Sequence, residues 1–399
     1  MNFLFVHEAK TVKDIQGNIY TDTSYSMEVW NRYLKFCDSF TLLLRQEEKN
    51  LTTNEASAKY NIIDSDKIKF IKIPNLSSSI SSFINLKKRR ELREIIRENV
   101  AVADCVIVRL PCYAGHLALK YAKKSNKKYL VEVVGDPLIS LWYHGSITGK
   151  ILAPFSYSRL KCDLRKSKNV IYVSQRFLQN RYPAMSNSIG IPDVFLNNPS
   201  NEVLKKRILK IDSLNKNTIK LGLIGSLNVA YRGHEVLLRA GSVLKNKGIN
   251  VEIHFLGNGD IQNMLNKASQ YSLENEVFCD GVLPSGDPVY EWIDQIDILV
   301  MPTKAETLGR AIIEAMSRGC PVIGSLETAI CEQIGYDCLT YSGDYDSISK
   351  LILKMMNNKD YMKSCAYENY YRSFKYTTKQ TDAIRDEFIK QCIESEGSK

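Results

Sequence analysis

The chain has 399 residues, and a length of this order predicts two domains rather than a single core. It is 44% hydrophobic and 25% charged, with 21 glycines and 11 prolines, a balance that excludes disordered, collagen-like and coiled-coil proteins. The net charge of +10 is uneven, because residues 1–200 hold 30 basic and 18 acidic side chains while residues 201–399 hold 24 and 26.

Several features of the sequence bear on the cell compartment. No stretch approaches 18 uncharged apolar residues, so the sequence predicts no membrane-spanning segment. The first residues, MNFLFVHEAK, lack the basic region and the cleavage site of a secretory signal. The 10 cysteines are scattered without a C-x-x-C pair. We therefore expect a cytoplasmic protein whose cysteines stay reduced.

Two basic segments carry most of the excess positive charge. Residues 84–128 hold 12 basic and 4 acidic side chains, and residues 148–182 hold 8 basic side chains and one acid. Such charge is typical either of a solvated surface or of a surface that meets lipid head groups, a phosphorylated acceptor or nucleic acid. Neither a groove-reading helix motif nor interleaved stacking aromatics accompanies the charge, which argues against nucleic acid.

The segment 81–99 mixes basic and apolar residues at helical spacing. Two alternatives stay open for it: an ordinary amphipathic helix packed on a sheet, or a helix that lies on an anionic membrane surface. The second alternative places these side chains at the lipid or at head-group level: Phe83, Leu86, Lys87, Lys88, Arg90, Arg93 and Arg97.

Apolar strands and helical patterns alternate along the first half of the chain. Strands are predicted at residues 2–7, 39–46, 68–74, 105–111, 128–136 and 169–174. A polar loop follows the first strand and runs to Gly17, and helical spacing is clear at 26–37 and 114–124. Repeated strand–helix–strand order predicts a doubly wound parallel sheet, and hence a Rossmann-like domain over residues 1–200.

The same pattern restarts in the second half. Residues 197–218 are rich in Asn, Lys and Ser without a clear apolar strand, and we interpret them as the link between domains. Strands are then predicted at 219–227, 250–257, 297–302 and 320–324. This indicates a second Rossmann-like domain over residues 218–375 and a terminal helix over 376–399. Two such domains enclose a cleft, and ligands bind beyond the carboxyl ends of their strands.

The sharpest motif lies within residues 298–325, where a buried strand stops at Pro302 and a helix begins near Thr307–Gly309. Backbone N–H groups at a helix start, beside a glycine without a side chain, form a seat for an anion. Glu306 precedes this start and Glu314 follows it, about 12 Å further on if the whole segment is helical. A glycosidase pair lies closer than this, so the spacing suits two polar ends of one long ligand. Without its strand–loop–helix context, such a glutamate pair would be typical of a solvent-facing helix.

This motif and its neighbours resemble the glycosyltransferase family 4 enzymes, which carry two glutamates with seven residues between them in this strand–loop–helix position. LIGSLNVAYRGHEVLLRA (223–240) is similar to the family's glycine-rich turn with a basic residue before glycine, and HFLGNGD (254–260) to its next strand and turn. VFCDGVLPSGDPVYEWIDQIDILVMPT resembles the base-binding loop. In the first half, YLVEVVGDP and VIYVSQRFLQNRYP resemble transferases of bacterial capsule and O-antigen assembly.

The resemblance implies the GT-B arrangement, with the acceptor on the first domain, the donor on the second and a final helix that crosses back. Glu314 would hold ribose hydroxyls, Glu306 would hold hydroxyls of the donor sugar, and Arg232 would neutralise the departing diphosphate. Backbone amides of 307–309 would meet sugar and diphosphate, and the main chain of 282–283 would meet the base. The other donor-binding positions implied are Gly17, Gly225, Ser226, Gly257, Asn258, Val282, Leu283, Thr307, Leu308, Gly309 and Arg310.

The sequence departs from the family pattern at two places. Ser226 stands where the family often has an arginine, which leaves Arg232 as the cation of this loop, with Arg310 able to compensate in part. The family's histidine after the fourth strand is also missing, because Gly135 and Asp136 stand there. Asp136 is therefore our candidate for the third catalytic residue, beside Arg232 and Glu306.

The implied activity is transfer of a hexose or N-acetylhexosamine from a nucleotide diphosphate sugar to a glycan, with retention of configuration and no metal or other cofactor. The expected acceptor is a lipid-linked oligosaccharide at the inner face of a bacterial membrane, in capsule or O-antigen biosynthesis. Peripheral contact with an anionic membrane would explain the basic first half. A nucleotide-sugar epimerase on the same fold and an inactive partner subunit are the alternatives. Asp64-Ser65-Asp66, a pattern that binds metal in another transferase class, is predicted to be a plain turn.

Overall fold

The computed structural model has two α/β domains, each built around one sheet, that face each other across a cleft. This confirms the predicted fold class of two Rossmann-like domains. The structure describes residues 1–22, 24–49, 51–76, 80–143 and 145–394, without the side chains of residues 80 and 83.

The first domain is a parallel sheet with a short antiparallel extension. Its strands are β1 Asn2–Lys13, β2 Ile19–Thr21, β3 Ser39–Gln46, β4 Asn61–Ile62, β5 Ile68–Ile73, β6 Cys105–Leu110, β7 Lys128–Val133, β8 Val170–Tyr172 and β9 Ser188–Gly190. The parallel part runs in the order β5-β3-β1-β6-β7-β8-β9, and β2 and β4 extend antiparallel from the far end of β1. Residues 3–6 and all of β6 are buried, as expected for parallel strands with helices on both faces.

Eight helices of the described residues belong to this domain: α1 Met27–Leu34, α2 Thr53–Ser57, α3 Ile80–Ile84, α4 Leu86–Val102, α5 Tyr113–Lys124, α6 Pro137–Tyr143, α7 Ile147–Leu164 and α8 Phe177–Arg181. In α4, Leu92, Ile96 and Val100 are buried at four-residue spacing and belong to the core on one face of the sheet. Of the two alternatives for residues 81–99, the structure therefore favours the ordinary packed helix. The side chain of Phe83 lies outside the described part.

The second domain is a six-stranded parallel sheet. Its strands are β10 Thr218–Ile224, β11 Asn250–Leu256, β12 Val277–Gly281, β13 Ile298–Met301, β14 Val322–Ser325 and β15 Leu339–Thr340, in the order β12-β11-β10-β13-β14-β15. Its helices are α10 His234–Asn246, α11 Ile261–Gln270, α12 Asp287–Gln295, α13 Arg310–Ser317, α14 Tyr345–Asn357 and α15 Lys359–Ser373. One apolar core unites both faces of this sheet.

Two further helices connect the domains. The segment that we interpreted as a plain link contains α9, Asn201–Ser213, whose buried Arg207 donates to the backbone oxygens of Ile296 and Ile293 of the second domain at 2.7 and 2.9 Å. The last helix, α16 (Thr378–Glu394), returns to the first domain. There Phe388, Ile389 and Cys392 join the core that contains Trp30.

Hydrogen bonds cross the cleft directly. The Thr307 hydroxyl, in the loop before α13, donates to the backbone oxygen of Val134 after β7 at 3.2 Å. The carboxylate of Glu332 accepts from three consecutive backbone N–H groups, Gln175 to Phe177, at the start of α8. These bonds fix the two domains close together at the edge where the strands of both sheets end. Among the described residues, no helix is both long enough and apolar enough to cross a bilayer.

Candidate functional site

A cavity of about 880 Å³ lies between the domains, where the carboxyl ends of both sets of parallel strands meet. Its size is that of a site for a small organic ligand. Of the residues predicted to bind the donor, it brings together Gly225, Ser226, Arg232, Gly257, Asn258, Val282, Leu283, Glu306, Thr307, Leu308, Gly309, Arg310 and Glu314.

Two glycine-rich turns shape the second domain's wall of the cavity. Gly225 follows β10 and Gly257 follows β11, and their backbones lie so close that a Cβ atom on Gly257 would collide with the Gly225 carbonyl. The amide of Leu227 donates to the Asn258 oxygen at 2.8 Å, and the Ser226 hydroxyl reaches the same oxygen at 3.1 Å. Glycine at 257 is therefore required by the close approach of the two chains.

An ion pair joins two loops of this wall. Arg232, at the end of the turn after β10, contacts Glu306 through Nη1 and Oε2 at 2.7 Å. The other carboxylate oxygen, Oε1, accepts from the backbone amides of Thr307 and Leu308 at 3.1 and 3.3 Å. The N–H groups predicted to meet a diphosphate thus already bind an anionic group, the carboxylate of Glu306.

The environment keeps Glu306 ionised. Burial by itself raises the pKa of its carboxyl, but the charge of Arg232 and the backbone N–H groups of Gly309 and Leu308 outweigh burial and lower the pKa. Gly309 has a φ of 62°, the left-handed conformation that turns the chain into α13. This left-handed conformation explains why glycine stands at 309, and the amides of 307–309 bind the Glu306 carboxylate.

Glu314 lies deeper along the same wall, on the second turn of α13. Burial raises its pKa to about 7, and the nearby Arg310 opposes this effect only in part. At neutral pH this carboxyl is therefore poised between its two protonation states. A ligand that donates hydrogen bonds here would favour the ionised form.

Asp136 does not lie in the cavity, and our assignment of a catalytic role to it is wrong. Its side chain is 1% exposed and accepts from the backbone amides of Leu138 and Ile139 at 2.9 and 3.2 Å, at the start of α6. Arg181 and the Tyr182 hydroxyl contact the same carboxylate at 2.5 and 2.6 Å. Asp136 holds two helices of the first domain in place and has no free face toward the cleft.

Gly17 does not reach the cavity either. The polar loop predicted after residue 7 is instead a continuation of β1, because residues 11–13 pair with 19–21 in an antiparallel hairpin. Gly17 lies in the turn of this hairpin, with a φ of 97°, beside Asp14. Its glycine is explained by the turn, and its predicted contact with the diphosphate is not compatible with this position.

Most of the first domain's wall was not predicted from the sequence. Its centre is a polar cluster of His7, Tyr25, Arg109 and Asp193. The Tyr25 hydroxyl lies 3.1 Å from Nδ1 of His7, the Arg109 guanidinium lies 5.2 Å from the Tyr25 ring centroid, and Arg109 pairs with Asp193. Burial, together with the charge of Arg109, lowers the pKa of His7 to about 3, so its imidazole is neutral at physiological pH.

A local irregularity of β1 orients His7. The register between β1 and β3 shifts between Val6 and Lys10, so residues 7–9 form a bulge within β1, between the part that pairs with β6 and the hairpin. The neighbouring Glu8 also lines the cavity, and it accepts from the Ala114 amide at 2.9 Å, at the start of α5. His7 ends the first strand predicted from the sequence, and a side chain at such a strand end can face the cleft.

Within the described ranges, no group of three or more His, Cys, Asp or Glu side chains is placed to hold a metal ion. The Asp64–Asp66 pattern lies in the turn before β5, away from the residues that line the cavity.

Solved structures with the same architecture identify the fold. Anabaena HepE, solved in complex with UDP and glucose, superposes with a TM-score of 0.64 over 99% of this chain and 100% of HepE, at 13% identity. Sucrose-phosphate synthase from Thermosynechococcus elongatus gives a TM-score of 0.71 over 98% of both chains, also at 13% identity. Two sheets around a shared cleft in this arrangement define the GT-B fold of glycosyltransferases.

Sequence comparisons then place the chain in a family. Residues 218–358 match the model of the group 1 glycosyl transferases. Protein CapJ of Staphylococcus aureus is 32% identical over 371 residues, which cover 92% of this chain and 90% of CapJ. The capsular polysaccharide biosynthesis glycosyltransferase CapM of the same species is 23% identical over 49% of this chain and 52% of CapM. The chain belongs to the group 1 glycosyltransferases.

The raised pKa of Glu314 predicts a pH-dependent effect of Glu314→Gln on stability. Because burial favours the protonated carboxyl, the stability of the wild type falls as pH rises from about 4.5 to about 7. Glu314→Gln lacks this loss, so it should match the wild type at pH 4 and exceed it at pH 8 by about 1–3 kcal/mol in free energy of unfolding. Urea titrations at both pH values measure this, with the exposed Glu274→Gln as control. An equal difference at the two pH values would contradict the assignment.

Proposed function

We propose that this glycosyltransferase moves a hexose or N-acetylhexosamine from a nucleotide diphosphate sugar to a glycan in bacterial capsule biosynthesis. The proposal rests on one observation: Arg232, Glu306 and Glu314 lie on the same wall of one interdomain cavity. The similarity to CapM, a glycosyltransferase of capsular polysaccharide biosynthesis, and to HepE in its complex with UDP and glucose supports the same class of reaction. Assignment to family 4 stays a prediction.

The donor would lie along the wall of the second domain. Its ribose hydroxyls donate to Glu314, its base lies near the main chain of Val282 and Leu283, and its diphosphate lies at the amides before α13. Arg232 then exchanges part of its contact with Glu306 for the phosphate oxygens. Glu306, released from that pair, can accept hydrogen bonds from the sugar ring.

Charge development explains the role of Arg232. Breaking the bond between sugar and diphosphate builds negative charge on the leaving oxygen, and a guanidinium with oriented N–H donors stabilises that charge. These groups supply the stabilisation without a metal ion, and the departing diphosphate can itself deprotonate the acceptor on the same face. A front-face reaction of this kind retains the configuration of the sugar.

The acceptor would meet the wall of the first domain, where His7 and Arg109 lie. We propose a lipid-linked oligosaccharide at the inner face of the cell membrane as the acceptor. The support is the basic excess of residues 1–200, which favours an anionic carrier such as a lipid diphosphate.

One assay separates this function from its alternatives. The protein is incubated with UDP- and GDP-linked sugars, with and without a lipid-linked acceptor, in the presence of EDTA. The proposed transferase consumes donor at a high rate only when acceptor is present, and EDTA does not stop it. An epimerase would consume the donor even when no acceptor is present, whereas an inactive subunit would leave both substrates unchanged. A requirement for added Mg²⁺ would contradict the metal-free mechanism.

Arg232→Ala should lower turnover at least 100-fold, the size expected for loss of one contact to a developing oxyanion. Arg239→Ala is the matched control, because Arg239 is an exposed arginine of the adjoining α10 whose guanidinium lies over the Tyr345 ring. Steady-state rates of sugar transfer measure both variants. If Arg232→Ala retains turnover within threefold of the wild type, Arg232 has no part in the reaction.

His7 should affect transfer but not nucleotide binding, because it lies on the wall opposite Glu314. We expect His7→Ala to lower kcat at least tenfold, because the variant loses about one hydrogen bond in the transition state. The Kd of UDP should stay within twofold of the wild type. His7→Asn should recover part of the rate, and His254→Ala, whose ring stacks on Phe278, is the control. Since the pKa of His7 is about 3, the wild-type rate should show no step from this group between pH 5 and 9. A weakened UDP affinity in His7→Ala would show instead that His7 supports the fold of the donor site.

A further inference from the structure

Large apolar side chains are exposed on two consecutive helices of the first domain, α6 and α7. We name the surface that they form the α6–α7 patch; its members, with their exposed fractions, are Trp142 48%, Tyr143 39%, Ile147 78%, Ile151 59%, Leu152 48% and Phe155 70%. Six such residues within 14 positions are unusual for solvated helices, whose apolar residues face a core.

The patch is not needed to hold α7 on the domain. The buried side of α7 consists of Gly149, Ala153, Leu160 and Leu164. Gly149 brings the helix close to α6, since a Cβ atom there would lie 2.7 Å from the Leu141 carbonyl oxygen. Ile147, Ile151 and Phe155 follow one another at four-residue spacing on the outward side.

Basic side chains continue the same outward stripe. Beyond Phe155 it presents the exposed Arg159, Lys166 is exposed just after α7 ends, and Lys150 is exposed between the apolar residues. In residues 137–168 the one acid is Asp163, which bonds His116 at 2.6 Å. The other basic segment meets this surface at Tyr113, because Arg89 of α4 and Arg159 lie 5.5 and 5.3 Å from its ring centroid.

We propose that the α6–α7 patch docks on the surface of an anionic lipid bilayer. Exposed aromatic and aliphatic side chains enter the boundary between head groups and acyl chains, and a basic border attracts acidic head groups. The positive charge of this surface favours a lipid bilayer over a second copy of this chain as its partner. Two copies facing each other through this surface would bring like charges together. The inference rests on the proposed lipid-linked acceptor and specifies where the membrane lies.

The patch adjoins the mouth of the cavity. The α6 helix begins three residues after Val134, which lines the cavity and bonds Thr307 of the other domain. Across the cleft, Nζ of Lys304, two residues before Glu306, lies 5.8 Å from the Tyr143 ring centroid. An acceptor whose lipid stays in the bilayer would therefore present its sugar at the edge where Glu306 lies.

Sedimentation with vesicles tests this surface. The wild type should bind phosphatidylcholine vesicles that contain 30% phosphatidylglycerol, bind pure phosphatidylcholine at least tenfold less, and dissociate in 0.5 M NaCl. Ile151→Glu combined with Phe155→Glu should lower the partition coefficient at least tenfold. Leu209→Glu combined with Tyr371→Glu, at equally exposed apolar positions on α9 and α15, should leave it within twofold. Circular dichroism and thermal midpoints of both variants should match the wild type, because all four side chains are largely exposed.

Three outcomes would overturn the inference: binding that ignores lipid charge, equal losses in both double variants, or a dimer that Ile151→Glu/Phe155→Glu abolishes while vesicle binding persists. Thermal shift with UDP separates this result from the proposed function, because the patch variant should keep the wild-type response. If the wild type binds UDP but no vesicles, the docking surface is wrong and the transferase stands. If it binds vesicles but no nucleotide, the transferase proposal fails and the docking surface stands.

Discussion

The contact between Arg232 and Glu306 organises the donor side of the cavity. It joins the turn after β10 to the loop before α13, and the same carboxylate satisfies the backbone amides of Thr307 and Leu308. The cation and the N–H groups are thus held in position by an internal anion before any ligand arrives. Because these groups are already partly removed from water, an incoming phosphate replaces one anionic partner by another, and little reorganisation is required.

The loop before α13 also links the donor side of the cavity to the first domain. Thr307 donates through its backbone to Glu306 and through its hydroxyl to Val134 of the first domain. A change in the distance between the domains therefore acts directly on Thr307, which lies at the predicted diphosphate site. Glu332, which binds the start of α8, supports the same closed arrangement from the other end of the interface.

The donor wall could be predicted from sequence because each of its parts is local. A strand, a glycine that permits a tight turn and a helix start lie within a few residues, as in the segments that contain Gly225 and Gly309. The acceptor wall could not be predicted, since His7, Tyr25, Arg109 and Asp193 come from four distant segments that only the order of the strands brings together. The prediction for Asp136 failed for a different reason. Its position in the sequence matches that of the family's histidine, but its carboxylate holds two helices of the first domain together.

The return of α16 to the first domain has a consequence for biosynthesis. Phe388, Ile389 and Cys392 pack on the side of the first sheet that contains Phe5, beside Trp30 of α1, and Arg385 donates to the Pro192 oxygen at 3.1 Å. The ribosome synthesises the strands of that sheet long before it synthesises α16. During translation the nascent first domain therefore carries an exposed apolar face, which chaperones can bind until the last helix emerges and closes it.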